Sequence, residues 1–122
     1  MHLTKLALAT LFLLPTAALA QGDQNFDDLD ADRLNANQVM IEFEYTGGAC
    51  ETVGPAELGE IADGNLALTF SVTSTAEVCI QQAKEIEVEQ AVAADTSVTQ
   101  VTVTLLAADG TTIASESERV DD

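Results

Sequence analysis

The chain has 122 residues, 47% of them hydrophobic, and 21 acidic residues against four basic ones give a formal net charge of −17. This length suits a single small domain. A charge of this sign and size repels nucleic-acid phosphates and anionic membrane surfaces, which makes both poor candidate partners, whereas it attracts cations or a basic protein.

Residues 1–20 have the pattern of a secretory signal peptide. Lys5 precedes an apolar run from Leu6 to Leu14, and Ala18-Leu19-Ala20 forms a small-x-small cleavage site. The run is shorter than the about 20 residues that span a bilayer, and no second apolar run follows. We therefore expect cleavage after Ala20 and export to the periplasm or the medium, with no membrane span in the mature chain.

Residues 21–38 are polar and rich in aspartate, and only Phe26, Leu29 and Leu34 are large and apolar. No sustained hydrophobic period is present, which predicts a flexible acidic N-terminal arm before a folded domain over residues 39–122. Read as an EF-hand loop, the run that starts at Asp28 places Arg33 where glycine is required and Val39 where a glutamate ligand is required. We therefore assign no metal site.

Strict alternation of apolar and polar residues begins at Val39. Four segments show it: VMIEFEY from Val39, LALTFSVT from Leu66, EIEVEQAV from Glu85 and VTQVTVTLL from Val98. This period predicts strands with one buried and one solvated face, typical of antiparallel sheets. The segment from Ser74 to Cys79 also resembles a helix cap, and we expect at most a short helical turn there.

The pair Asp109-Gly110 predicts a β-hairpin after Leu105. A three-residue loop with a left-handed glycine pairs Leu105 with Ile113 and places Ile113 on the apolar face. The same register sends Glu116 and Glu118 outward.

Five or six short strands separated by Gly, Asp and Asn turns predict an all-β fold. We expect a small antiparallel β-sandwich of immunoglobulin-like type with one disulfide. The sequence lacks tryptophan, which usually marks the core of immunoglobulin domains. The prediction therefore rests on domain size and on the alternating pattern.

The two cysteines, Cys50 and Cys79, predict a structural disulfide. Export would place both in an oxidising compartment, and closing a loop of about 30 residues stabilises a fold by roughly 3.5–4 kcal/mol. A reactive thiolate needs a nearby cation or histidine, whereas the neighbours here are Glu51 and Glu77. Metal binding would require further sulfur or imidazole ligands.

No set of catalytic residues emerges from the sequence. The single histidine, His2, lies in the predicted signal peptide, which excludes histidine-based catalysis in the mature chain. There is no glycine-rich phosphate loop and no Cys-x-x-Cys pair. Glu85, Glu87 and Glu89 lie roughly 7 Å apart along one strand face, but a glycosidase also needs a cleft with aromatic sugar platforms. We predict no enzyme activity and no cofactor.

These expectations together describe an exported, acidic, non-catalytic protein that binds a protein or envelope partner. Residues 51–65 form the longest irregular stretch between the two cysteines and are the expected binding loop. Two alternatives remain: weak binding or buffering of divalent cations such as calcium, and inhibition of a secreted hydrolase or protease.

Overall fold

The computed structural model describes residues 25–122, which form eight β-strands without any helix. The strands are β1 (Asp27–Asn35), β2 (Gln38–Gly48), β3 (Glu51–Val53), β4 (Glu57–Ala62), β5 (Asn65–Ser74), β6 (Ala83–Ala93), β7 (Gln100–Leu106) and β8 (Thr112–Asp121). The predicted signal peptide, residues 1–20, lies outside the described residues. Within residues 25–122 no helix suited to crossing a membrane is found.

The strands form one mixed sheet that curls into an almost closed barrel. Their order is β3-β5-β7-β8-β1-β2-β6, and β4 pairs with β5 on the same edge as β3. Strand β5 runs parallel to β7, and β1 runs parallel to β8, whereas the other neighbours are antiparallel. The outer edges of β3 and β6 are the two ends of this path.

The core fills the inside of the barrel because apolar residues alternate along the long strands. In β2, Val39, Ile41, Phe43 and Tyr45 are buried while the residues between them are partly exposed. β5 and β7 contribute the opposite wall with Leu66, Leu68, Phe70, Val72, Val101, Val103 and Leu105. Phe43 packs between Phe26 and Phe70, with ring centroids 4.6 and 5.2 Å away.

One end of the barrel is closed by Arg33 on β1. Its guanidinium donates four hydrogen bonds of 2.9–3.1 Å, to the carbonyls of Asn35, Ala94, Asp95 and Val98. Its Nε lies 3.4 Å from Asp122 Oδ1, and the side chain is 13% exposed. Arg33 therefore ties the end of β1 to the β6–β7 connection and to the last strand.

The all-β class and the single disulfide are confirmed, but the immunoglobulin-like antiparallel sandwich is not. Two of the strand pairs are parallel, and the strands form one continuous curled path instead of two separate sheets. The alternation along a strand determines which side chains are buried, but it is the same for parallel and antiparallel neighbours. It therefore does not predict that β5 pairs with β7 in parallel.

The flexible arm expected over residues 21–38 is replaced, over Asp27–Asn35, by strand β1. Ala31 faces the core, fully buried opposite Ile41, while Asp30 and Asp32 alternate outward. Because the buried position of this strand is a small alanine, the sequence shows no hydrophobic period there. The strand therefore resembles an acidic linker in the sequence. Buried Phe26 adds its ring to the core, and the folded part therefore includes residues well before Val39.

The β7–β8 hairpin has the predicted three-residue loop with Gly110 left-handed at φ 91°. The register after it is different, because β8 bulges at Ile113 and Leu105 pairs with Ala114. The bulge turns Glu116 and Glu118 to the face of their partners Val103 and Val101, so the outward prediction is wrong. Glu116 Oε2 accepts a hydrogen bond from the Phe26 N–H at 2.7 Å.

Replacing Arg33 with alanine is expected to lower the free energy of unfolding by about 3 kcal/mol, because four carbonyls lose a charged donor at once. Urea unfolding followed by circular dichroism measures the change. Arg33→Lys should recover only part of it, because an ammonium cannot reach four carbonyls as a fork. The matched control is Arg119→Ala, which removes the same charge from an exposed position on β8. An equal loss in both variants would contradict the role of Arg33.

Candidate functional site

The disulfide lies at the end of the barrel opposite Arg33. Cys50 and Cys79 are bonded, with their Cα atoms 6.0 Å apart and a separation of 29 positions in the sequence. The bond fastens the irregular connection of residues 75–82 to the start of β3, where Thr75 also donates backbone and side-chain hydrogen bonds to the Cys50 carbonyl. The segment from Ser74 to Cys79 forms no helical turn, which agrees with the limit of at most a short turn set by the sequence. Neither cysteine is free to act as a nucleophile.

A cavity of about 540 Å³ opens beside this disulfide. Of the residues within 25–122 that line it, Glu51 alone is charged, and Val72, Ile80 and Ile113 are apolar. Glu51 accepts a hydrogen bond from the Tyr45 hydroxyl at 3.2 Å. Burial, together with the Glu51 charge, raises the pKa of that hydroxyl above its ordinary range. Tyr45 therefore stays protonated and acts as a structural donor.

The outer surface of β1, β2 and β6 carries an uninterrupted field of carboxylates. We call it the acidic face, and it consists of Asp27, Asp28, Asp30, Asp32, Glu42, Glu44, Glu85, Glu87 and Glu89. Cross-strand partners share a face, and here Glu42 lies directly between Asp30 and Glu89. Like charges placed opposite each other destabilise a sheet. The core alternation imposes this arrangement, because the residues between the buried positions must point outward.

The crowding raises the pKa of Glu42 at the centre of the acidic face. The largest cause is a hydrogen bond with the Glu89 carboxyl, which favours the protonated form of Glu42. Desolvation and the negative charges of Glu89, Asp32 and Asp30 act in the same direction. Glu42 therefore holds a proton more tightly than an isolated glutamate does.

Glu44 and Glu85 show the same effect nearer the disulfide end. Desolvation is the largest cause of the raised pKa of Glu44, followed by repulsion from Glu87. Desolvation also raises the pKa of Glu85, with repulsion from Asp27 next in size. Three neighbouring carboxyls thus hold protons more tightly in the folded protein than in the unfolded chain.

The basic side chains of residues 25–122 do not neutralise this surface. Arg33 is engaged at the barrel end, Arg119 lies on β8, and Lys84 points to the opposite side of β6 from Glu85 by strand alternation. Within the same residues no three His, Cys, Asp or Glu side chains converge to hold a metal ion. Calcium binding and hydrolase inhibition stay predictions.

The barrel is left open along one line, between the outer edges of β3 and β6, which we call the seam. Strand β6 pairs with β2 on one side, and no strand among residues 25–122 pairs with its other side. A groove of about 230 Å³ follows the seam, lined by Glu51, Thr52, Val53, Ile86, Glu87, Val88, Glu89 and Gln90. The acidic face ends at this groove, because Glu87 and Glu89 belong to both.

The Gln90 side chain bridges the seam at one end of the groove. Gln90 Nε2 donates to the Gly54 carbonyl at 2.9 Å, and Gln90 Oε1 accepts from the Ala56 N–H at 2.9 Å. The amide thus supplies one donor and one acceptor, as a peptide group of a neighbouring strand would. Gln90 closes the barrel where no strand does.

The segment expected to be an irregular binding loop, residues 51–65, is not irregular in the structure. That segment contains β3 and β4, which both pair with β5, so it is mainly strand. The turn pair Asp63-Gly64, with both residues at positive φ, was the signal for the hairpin between β4 and β5. The alternating glutamates from Glu85 were recognised as an exposed strand face, whereas the contribution of β1 to that face was missed.

Comparison of the chain with protein-family models, with curated proteins and with solved structures finds no match.

The raised pKa values predict that the protein is more stable in mild acid than at neutral pH. Above the folded-state pKa values of Glu42, Glu44 and Glu85, each of these carboxyls is ionised beside other acidic groups, and the repulsion lowers stability. This penalty fades as the pH falls through those values and is gone below the ordinary value of 4.5. Asp95 and Asp109 act oppositely, since hydrogen bonds from Ser97 and Thr111 lower their pKa below 3.8 and their contribution is lost in stronger acid.

We therefore expect the urea midpoint at low salt to rise as the pH falls from 7 towards 4.5 and to decrease below about pH 3.8. Glu42→Gln should raise the midpoint at pH 7 and flatten its rise on acidification. The control is Glu57→Gln on β4, which removes one charge at a position outside the acidic face. A midpoint that falls steadily from pH 7 to pH 5 would contradict the interpretation.

Proposed function

We propose that the chain is an exported, non-catalytic protein that binds a basic protein partner through the acidic face. The observation that carries the proposal is the direct opposition of like charges across β1, β2 and β6, with Glu42 between Asp30 and Glu89. A partner that brings lysine or arginine to this surface removes the repulsion when it binds. Part of the binding free energy then comes from relief of a cost that the free protein carries.

The size and continuity of the surface favour a macromolecular partner over a small ligand. The carboxylates follow three neighbouring strands, and the depression among Asp28, Glu42, Glu44 and Glu87 is shallow, about 90 Å³. Small-molecule sites are concave and bury most of their ligand. A flat charged surface instead gives a basic protein fast, salt-dependent association.

The signal peptide predicted over residues 1–20 and the Cys50–Cys79 bond support export, since disulfides persist in oxidising compartments. Non-catalytic action is supported by the sequence, whose single histidine lies in that predicted signal peptide.

Export has a direct test in the native producer or in a bacterial host that processes signal peptides. Mass spectrometry of the intact protein recovered outside the cytoplasm should give a chain that begins at Gln21 and lacks two hydrogens because of the disulfide. Ala18→Leu with Ala20→Leu removes the small residues that the cleavage site requires and should block processing. A chain that stays in the cytoplasm with Met1 in place would contradict export.

Binding through the acidic face is tested with two variants of equal charge. Glu42→Gln, Glu44→Gln and Glu87→Gln together remove three charges from the acidic face. Glu57→Gln, Glu60→Gln and Glu77→Gln together remove three from exposed positions on β4 and the 75–82 connection. Affinity for a panel of basic proteins, with polylysine as reference, is measured by calorimetry at about 50 mM and about 300 mM salt.

The acidic-face variant should lose at least about tenfold in affinity, and the control should stay within about twofold of the unchanged protein. Binding should also weaken at the higher salt concentration, because screening shortens the reach of the charges to a few ångströms. Equal losses in the two variants would show that net charge alone attracts basic proteins and would remove the acidic face as a site.

A further inference from the structure

We propose that the seam between β3 and β6 accepts an extended segment of the basic partner, which adds to β6 as a further antiparallel strand. This inference rests on the proposed function and specifies how the partner binds. The segment carries basic side chains alternating with apolar ones. It is held by backbone hydrogen bonds to β6 as well as by charge.

The free edge of β6 has backbone groups directed into the seam. The Ala94 N–H donates to the Asn37 carbonyl at 2.9 Å, in register with the β2–β6 ladder. Successive residues of a strand point their N–H and C=O groups to opposite sides. Glu85, Glu87 and Glu89 therefore direct these groups away from β2, toward the seam.

The edge of β3 faces the same space in the same way. The Gly54 N–H donates to the Ser71 carbonyl, and the Thr75 N–H donates to the Cys50 carbonyl. Cys50 and Gly54 therefore direct backbone groups toward β5. By the same alternation, the backbone groups of Glu51 and Val53 point into the seam. Two strand edges that no strand of residues 25–122 covers therefore direct backbone groups into one groove.

The groove selects the side chains of the added strand by their position. Residues on one face of the strand lie beside Glu85, Glu87 and Glu89, which favours lysine or arginine there. Residues on the other face point to the groove floor, where Val53, Ile86 and Val88 are apolar. In an antiparallel pair the residue opposite Glu87 has its backbone and its side chain next to those of Glu87. A basic residue at that position makes both contacts.

The same charges argue against a second copy of this chain as the occupant. Two β6 edges joined in an antiparallel pair would bring two rows of Glu85, Glu87 and Glu89 together. Natural proteins use inward or flanking charges on strand edges to prevent such pairing. The acidic edge therefore disfavours self-association while it favours a basic strand.

The proposal is tested with a synthetic seven-residue peptide in which lysine and valine alternate. Its control has the same sequence with every lysine backbone nitrogen methylated, which keeps the charge and removes the donors that would face β6. Calorimetry at about 50 mM salt should give at least about tenfold weaker binding for the methylated peptide. Hydrogen exchange at the amides of Glu85, Glu87 and Glu89 should slow when the unmethylated peptide binds.

A pair of variants separates backbone pairing from charge. Glu87→Pro and Glu87→Val remove the same carboxylate, but only proline also removes the N–H that points into the seam, and proline is tolerated on edge strands. We expect Glu87→Pro to bind the peptide about tenfold more weakly than Glu87→Val. Circular dichroism and urea unfolding establish that both variants are folded, and Glu85→Pro with Glu85→Val provides a second pair if either is not.

The outcomes distinguish this proposal from the proposed function. Equal binding of the two peptides, or equal binding by the two Glu87 variants, overturns strand addition. In either case, peptide binding that is lost when Glu42 and Glu44 are changed to glutamine would leave the acidic face as a binding surface that acts by charge alone. Absence of binding to the unmethylated peptide also overturns strand addition, whereas the panel of basic proteins decides the proposed function independently.

Discussion

Strict alternation of side chains along the paired strands β2 and β6 is the constraint on which the rest of this structure depends. It buries Ile41, Phe43 and Tyr45 and, by the same geometry, turns Glu42 and Glu44 toward the carboxylates of the neighbouring strands. The apolar core stabilises the fold because its side chains leave water, and the charge crowding opposes it. Neither effect can be changed by shifting a strand, because a shift of one residue exchanges the two faces.

Strands β1, β2 and β6 form one half of the curled sheet, and β3, β4, β5, β7 and β8 form the other. The two halves meet along two lines, and the contacts on these lines differ. On one side, β1 and β8 pair in parallel only at Ala31 with Val120 and Asp32 with Asp121. On the other side, the seam is spanned by side chains, the Gln90 amide and the Tyr45–Glu51 hydrogen bond. Arg33 and the disulfide hold the two ends of the barrel. Among residues 25–122, the seam is thus a place where strand edges have no neighbouring strand and where the acidic face reaches an edge.

The parts of this fold that could be predicted are those with a local signal. The apolar alternation from Val39 identified β2 with its buried face, and export with two cysteines predicted the disulfide. Strand β1 was missed because its buried position is Ala31, and β4 because all of its residues are exposed, with Ile61 at 52%. The acidic face required the neighbours of β2 to be known, and a bulge at Ile113 reversed the orientation of Glu116. Parallel pairing and bulges depend on contacts between distant segments, which the sequence period does not encode.

The unequal joints between the halves have a consequence for cooperativity. Proteins open in units bounded by their weakest contacts, and the boundary here runs along the seam and the short β1–β8 ladder. One unit contains β1, β2 and β6, and the other contains β3, β4, β5, β7 and β8. A strand that pairs with β6 and packs on Val53 would lie across that boundary. Binding would then couple the two units, so that they open together instead of separately.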